Sequence, residues 1–191
     1  MVQSRGLGDV YKRQILASKK FCKNYVKTFI RNTGPSLSPF NAWILLKGIE
    51  TLELRVNRQT KSAKDIVKYL KQSSKIGRIY YPTDSGFLQK KITKKQMIDG
   101  GSIISFELKS LKEKEKQVAF SFLNKLKLIE ISNNLGDSKT LITHPYTTTH
   151  HKLTSDEKIS LRITKNLVRL SVGLEDSIDI IEDINNALTK A

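Results

Sequence analysis

Cysteine is nearly absent. Cys22 is the only one among 191 residues, so the chain holds no internal disulfide and no cysteine-rich metal site. No apolar run approaches the roughly 20 residues that a membrane-spanning helix needs. Met1 to Gln14 carries no apolar stretch of the secretory kind, and the expectation is a cytoplasmic protein with no membrane partner. Three chemical signatures are missing as well: the G-x-S-x-G elbow of serine hydrolases, the G-x-G-x-x-G dinucleotide turn and the P-loop. Acidic side chains are outnumbered, 18 against 34 lysines and arginines, for a net charge of +16. Arginine is scarce too, at eight of those 34. Phosphate and base recognition lean on the arginine fork. The lysines are spread along the chain, and their densest cluster, Lys90, Lys91, Lys94 and Lys95, has no aromatic interleaving. A solvated lysine-rich surface without a nucleic-acid partner is therefore expected, with a basic nucleic-acid-binding module as the alternative.

A hydrophobic share of 38% beside a charged share of 27% supports a packed core in a solvated shell. Residues 1–14 have neither helical nor strand periodicity and read as a non-native extension, resembling translated adapter sequence. From Ile15 the pattern is α/β. Lys19 to Ile30 reads as a short helix, broken at Asn32-Thr33-Gly34-Pro35. Ser38 before Pro39 is a hydroxyl N-cap followed by proline at the first helical position. Leu45, Ile49, Leu52, Val56, Ala63, Ile66 and Leu70 then recur at steps of three and four, with Gln59 interrupting the stripe. One long helix to about Lys71 is predicted, burying one continuous face. Beyond it come strands at Ile76–Tyr80, Ser102–Leu108, Leu128–Ile131, Thr140–Thr143 and Leu167–Val172, with an amphipathic helix at Lys112–Leu126. Thr154 and Glu157 form a candidate capping box. Glu175, Asp176 and Asp179 place negative charge at the start of a last helix, which is expected to bury Ile178, Ile181, Ile184 and Leu188. The layout predicts a small, mostly antiparallel sheet with helices on one side, preceded by a long helix.

Few residues offer chemistry. On the strand Leu167–Val172, alternation puts Val168, Leu170 and Val172 on one apolar face and Arg169 on the other. A planar guanidinium there is either a clamp for a carboxylate or a solvent-facing arginine on a wet sheet face. The three histidines, His144, His150 and His151, lack acidic or cysteine neighbours at ligand spacing, and the threonine-rich run around them reads as a polar loop rather than a metal site. Lys20 has no neighbour that would lower its pKa for Schiff-base chemistry.

Six segments, in order, resemble the C-terminal part of the pyridoxal 5′-phosphate (PLP) enzymes of cysteine and methionine metabolism. They are Thr33-Gly34-Pro35 with Leu37-Ser38-Pro39-Phe40-Asn41-Ala42-Trp43; Lys47-Gly48-Ile49-Glu50-Thr51-Leu52 with Arg55; Gly100-Gly101-Ser102 into Ile104-Ser105-Phe106-Glu107; Asn134-Leu135-Gly136-Asp137; Leu141-Ile142-Thr143-His144-Pro145 with Thr149-His150; and Val168-Arg169-Leu170-Ser171-Val172-Gly173-Leu174-Glu175-Asp176. Ile131 to Asp137 and the threonines before His150 look most like the O-succinylhomoserine sulfhydrylases. Cystathionine γ-synthases and γ-lyases are less similar. Asn134 stands where many relatives carry serine, and Tyr146 where the family usually has alanine.

The resemblance implies the small domain of the fold-type I PLP-dependent transferases. Residues 15–34 would end the PLP-binding large domain, and 35–190 would form the C-terminal small domain. It implies a γ-replacement in which succinate leaves O-succinylhomoserine and sulfide adds, giving homocysteine, with PLP as electron sink. Arg169 would clamp the substrate α-carboxylate and Asn134 would assist through its backbone N–H. The family's Schiff-base lysine lies in a Ser-x-Thr-Lys context further upstream than Lys20. The chain is therefore expected to lack the cofactor's own residues, to be inactive alone, and to belong to a longer protein that assembles as a homotetramer.

Overall fold

A computed structural model describes residues 17–34 and 37–190. The expected extension at 1–14 and Pro35 lie outside them. The chain divides into two compact units, residues 1–54 and 55–191.

In the first unit, Ser18 accepts the Phe21 N–H and opens α1 (Lys19–Phe21), which continues through a π-helical turn (Cys22–Val26) into α2 (Lys27–Thr33). Gly34 ends it in the left-handed conformation, φ 71°, with its N–H on the Ile30 carbonyl at 2.9 Å. As its sequence suggests, Ser38 caps α3 (Pro39–Glu50) by accepting the Asn41 N–H at 3.2 Å, with Pro39 at the first position. None of the described residues of this unit is buried, and Phe21, Tyr25, Phe29, Phe40, Trp43 and Leu46 are exposed.

The single long helix does not form. It breaks at Thr51, where the backbone turns to φ −105°, ψ 8°, and restarts as α4 (Leu52–Gln72). Gly48 and β-branched Thr51 are weak helix formers close together. The buried stripe is correspondingly shorter. Ile49 and Val56 are exposed, while Ala63, Ile66, Val67 and Leu70 are buried. Gln59, read as a gap in that stripe, is itself 4% exposed, and its amide donates to the Asp137 carbonyl at 2.8 Å.

The second unit follows as β1 (Ile76–Tyr80), α5 (Lys90–Gln96), β2 (Ile103–Leu108), a 3₁₀ turn (Lys112–Lys114) into α6 (Glu115–Lys125), β3 (Glu130–Ile131), β4 (Leu141–Thr143), α7 (Ser155–Ser160), β5 (Leu167–Ser171) and α8 (Ser177–Lys190). The strands form one sheet in the order β1-β2-β5-β4-β3, antiparallel except for the parallel β3–β4 pair. Alternation sends Ile104, Phe106 and Leu108 of β2, Ile142 of β4, and Val168 and Leu170 of β5 to one face, all at or near zero exposure. Buried side chains of α4, α6 and α8 complete this core, among them Ile66, Phe122 and Ile184. The lysine-rich stretch that carried no expected element forms α5, with Thr93 buried.

The capping box at α7 is complete, with Thr154 Oγ1 accepting the Glu157 N–H and Glu157 Oε2 accepting the Thr154 N–H. At α8 the acidic residues divide their work. Asp176 Oδ1 accepts the Ile178 N–H at 3.1 Å, whereas Glu175 turns away to accept both the N–H and hydroxyl of Thr140 at 2.7 Å. Ile180, Ile184, Ala187 and Leu188 face inward, so Ile178, expected to be buried, is exposed. The buried Asp183 accepts the successive N–H groups of Lys127, Leu128 and Ile129 at 2.9–3.0 Å, tying the chain after α6 to α8.

Two glycines are required by close approach. A Cβ on Gly100 would meet the ring of Tyr81, whose hydroxyl donates to the Gly101 carbonyl at 2.9 Å. One on Gly173 would meet Glu175 and the backbone of Ser138 and Lys139. The second packs the residues after β5 against the loop leaving β3, which builds the site.

Candidate functional site

The face of the sheet opposite the core carries a polar row. Arg169 at the middle of β5 is in register with Ser105 of β2 on one side and Thr143 of β4 on the other, and Ser105 in turn with Tyr80 of β1. Side chains at facing register positions project to the same side, so Arg169 lies in a row of hydroxyls rather than among carboxylates.

Arg169 is neither fully exposed nor sealed. Its Nη2 donates to the Asn133 carbonyl at 3.1 Å, and its Nε is buried with no hydrogen-bond partner. Burial pulls its pKa below the ordinary arginine value, yet arginine keeps its charge in proteins. A charged, partly desolvated guanidinium with one of five N–H donors spent on protein is a receptor for a planar anion. An unsatisfied buried donor costs about 1–3 kcal/mol, so the fold holds this guanidinium at some expense.

The loop from Ser132 to Ser138 borders this group. The N–H of Asn134, the position expected to assist, donates to Ser132 Oγ at 3.4 Å. The loop is held from several sides. Gly136 N–H donates to Ser171 Oγ of β5 at 2.9 Å, Gln59 of α4 donates to Asp137 O, and Leu174 N–H donates to Ser138 O at 2.7 Å. Asn133 Oδ1 accepts the hydroxyl of Thr143 at 2.9 Å. Sequence reasoning missed Gln59, Asn133 and Thr143. The polar Gln59 in an apolar stripe was a signal for the first; for the other two only strand register reveals the contact.

The histidines do not converge. His144 is 2% exposed, with Nε2 2.8 Å from the Lys165 carbonyl and Nδ1 2.8 Å from Thr147 Oγ1. The carbonyl can only accept, so Nε2 carries the proton and Nδ1 accepts the threonine hydroxyl. Burial is the main cause of a pKa below the usual histidine value, and His144 stays neutral. Among the described residues no three His, Cys, Asp or Glu side chains gather as a metal site. Tyr146 lines an open groove of about 1390 Å³ that takes in Tyr80 and Ser105 of the polar row, with Arg78, Glu107 and Lys158, and its ring lies 4.3 Å from Lys158 Nζ. Lys20 is exposed on α1.

A small mixed sheet with helices on its apolar face and a half-buried arginine on its polar face is the architecture of the C-terminal domain of fold-type I PLP enzymes. The chain belongs to the Cys/Met metabolism PLP-dependent enzyme family, whose model matches residues 5–189. It is 41% identical over 184 residues to an O-succinylhomoserine sulfhydrylase of Mycobacterium tuberculosis, covering 96% of this chain and 45% of the relative. It is 40% identical over 186 residues to an L-methionine gamma-lyase of Fusobacterium nucleatum, covering 97% and 46%. Among solved structures, an O-acetylhomoserine (thiol)-lyase of Campylobacter jejuni matches with a TM-score of 0.80 at 35% identity, over 91% of this chain and 41% of that one. That structure carries its cofactor as N′-pyridoxyl-lysine-5′-monophosphate. The chain thus spans about half the length of the relatives it matches.

PLP needs a lysine for its aldehyde, a cradle for its phosphate and a partner for its ring nitrogen. The row around Arg169 supplies hydroxyls and a guanidinium, a donor set of the kind that suits a carboxylate rather than an aldehyde. No described helix is long and apolar enough to cross a membrane.

Proposed function

We propose that this chain supplies the substrate-carboxylate site of a PLP-dependent sulfhydrylase that replaces the succinate of O-succinylhomoserine by sulfide, yielding homocysteine for methionine biosynthesis in the cytoplasm. Arg169 grips the α-carboxylate, and Asn134 adds its backbone N–H when substrate displaces Ser132. Holding that carboxylate restricts how the amino acid presents its Cα–H bond to the reacting centre, a contribution of orientation. The cofactor is held by polypeptide outside this chain, with residues 15–34 closing its domain and residues 35–190 forming the small domain. The exposed aromatic residues of α1 to α3 suit helices that pack on such a domain. The full-length enzyme assembles as a homotetramer.

The observation that carries this reading is the charged, half-buried Arg169 whose Nε has no protein partner. The identity to a sulfhydrylase supports the reaction, and family membership favours an enzyme over the nucleic-acid-binding alternative. A second reading, elimination from methionine, draws on the comparable identity to a methionine gamma-lyase; cystathionine γ-synthase and γ-lyase chemistry are variants within the same family. The test is product analysis of the full-length enzyme with sulfide and O-succinyl- or O-acetylhomoserine, and with methionine alone. Homocysteine formed faster from the succinyl ester is expected. Methanethiol from methionine, without homocysteine from either ester, would establish the lyase instead.

A further inference from the structure

Asn133 and Thr148 lie in two separate segments of the sequence, Asn133-Asn134 and Thr147-Thr148-Thr149, and the fold joins them at one buried hydroxyl. Thr143, 1% exposed, is the register partner of Arg169 on the neighbouring strand. Its Oγ1 is 2.9 Å from Asn133 Oδ1 and 3.0 Å from Thr148 Oγ1, which is also 2.8 Å from the His144 carbonyl. The protons can be assigned. Asn133 Oδ1 only accepts, so Thr143 spends its single proton there. Thr148 then donates, either to Thr143 Oγ1 or to the His144 carbonyl. Asn133 is therefore gripped twice, by Thr143 at its side chain and by Arg169 Nη2 at its carbonyl.

Further along, the loop is pinned by Ser171 at Gly136 and by Gln59 at Asp137. Closer in, Ser132 N–H donates to the Ile142 carbonyl at 2.9 Å and Asn134 N–H to Ser132 Oγ at 3.4 Å, and the Asn133 side chain adds the one direct tie from this residue to β4. If Asn133 turns, its carbonyl leaves Arg169, the guanidinium loses its one protein acceptor and swings on four rotatable bonds. We propose that Thr143 is a positioning residue for carboxylate recognition: by holding the Asn133 amide, it keeps the Asn133 carbonyl on Nη2 and the remaining guanidinium edge aimed at substrate. Thr148 steadies the hydroxyl from behind. The inference rests on Arg169 being the carboxylate clamp, and the experiment separates the two.

The assay is a titration of the full-length, PLP-loaded protein with L-norvaline and with L-norvalinamide, followed by cofactor absorbance. The amide lacks the negative charge, so the ratio of affinities reads carboxylate recognition alone. Arg169→Ala is expected to collapse the acid preference to near unity. Thr143→Val, which keeps the shape and deletes the proton, is expected to weaken the acid by about fivefold, the effect of one hydrogen bond, and to leave the amide unchanged. Thr143→Ser restores the acid preference to within about twofold. Asn133→Leu reproduces the valine result, and adding Thr143→Val to it gives no further loss, because coupled partners do not add. Should Thr143→Val fail to fold, Asn133→Leu carries the test alone. An equal loss for acid and amide, or no loss in either, overturns the positioning role while the clamp stands. An acid preference that survives Arg169→Ala overturns the clamp, and this inference with it.

Discussion

Arg169→Met separates the cost of the candidate site to the fold from its value to the ligand. Arg169 makes one protein hydrogen bond, to the Asn133 carbonyl, and buries its Nε without a partner. Removing the guanidinium forfeits a charge-assisted bond of about 1.5–3 kcal/mol and relieves an unsatisfied donor of about 1–3 kcal/mol. Asn133 is exposed, so water can take over its carbonyl. Methionine keeps an unbranched apolar stem of similar reach. The two terms nearly cancel, and stability should move by no more than about 1 kcal/mol, or roughly 2–4 °C in Tm for a domain of this size. The ligand has no such compensation. Truncating one member of a hydrogen-bonded charge pair costs about 2–5 kcal/mol, which is roughly 30-fold to several thousand-fold in affinity. Thermal unfolding of the full-length protein and titration with an amino-acid carboxylate measure the two sides. A Tm lowered by more than about 10 °C, with carboxylate affinity kept within about threefold, would make Arg169 a structural residue and refute the reasoning.

Two predictions concern the frame of the site. Asp183→Ala strands three consecutive backbone N–H groups, that of Ile129 fully buried; a loss of about 3–4 kcal/mol is expected in denaturant unfolding, and a loss under about 1 kcal/mol would show that water replaces the carboxylate. His144 is held below its ordinary pKa of about 6.5 chiefly by burial, so below that pH the unfolded chain takes up a proton the folded chain refuses. Stability should therefore fall as pH drops from 6.5, by at most about 1.4 kcal/mol per pH unit, and be flat above it. His144→Gln should remove that slope between about pH 6.5 and 5.5, while an unchanged slope would assign it to another group.

Local physics made much of this legible before the fold was seen. The Ser38 N-cap with Pro39, the Thr154 and Glu157 box, and the glycine that ends α2 are short-range devices whose partners lie within four residues. Alternation in Leu167–Val172 put Arg169 opposite the core because a strand's period is two. The same reasoning failed wherever a partner was distant in sequence. Gln59 read as a flaw in an apolar stripe because its acceptor, Asp137, lies 78 residues away. Glu175 read as a helix-start charge and instead holds Thr140, 35 residues back. The phase of α8, which exposes Ile178, depended on which face the sheet presented.

The sequence by itself determined the strand that carries a lone arginine, the order of the five strands and the family pattern they follow, since each rests on periodicity or on residue identity. Only the tertiary structure decided that this arginine keeps a buried donor without a partner, and that Asn133, Thr143 and Thr148 meet beside it. Those facts depend on strand register and loop packing, where residues far apart in the chain exchange hydrogen bonds that no local pattern encodes.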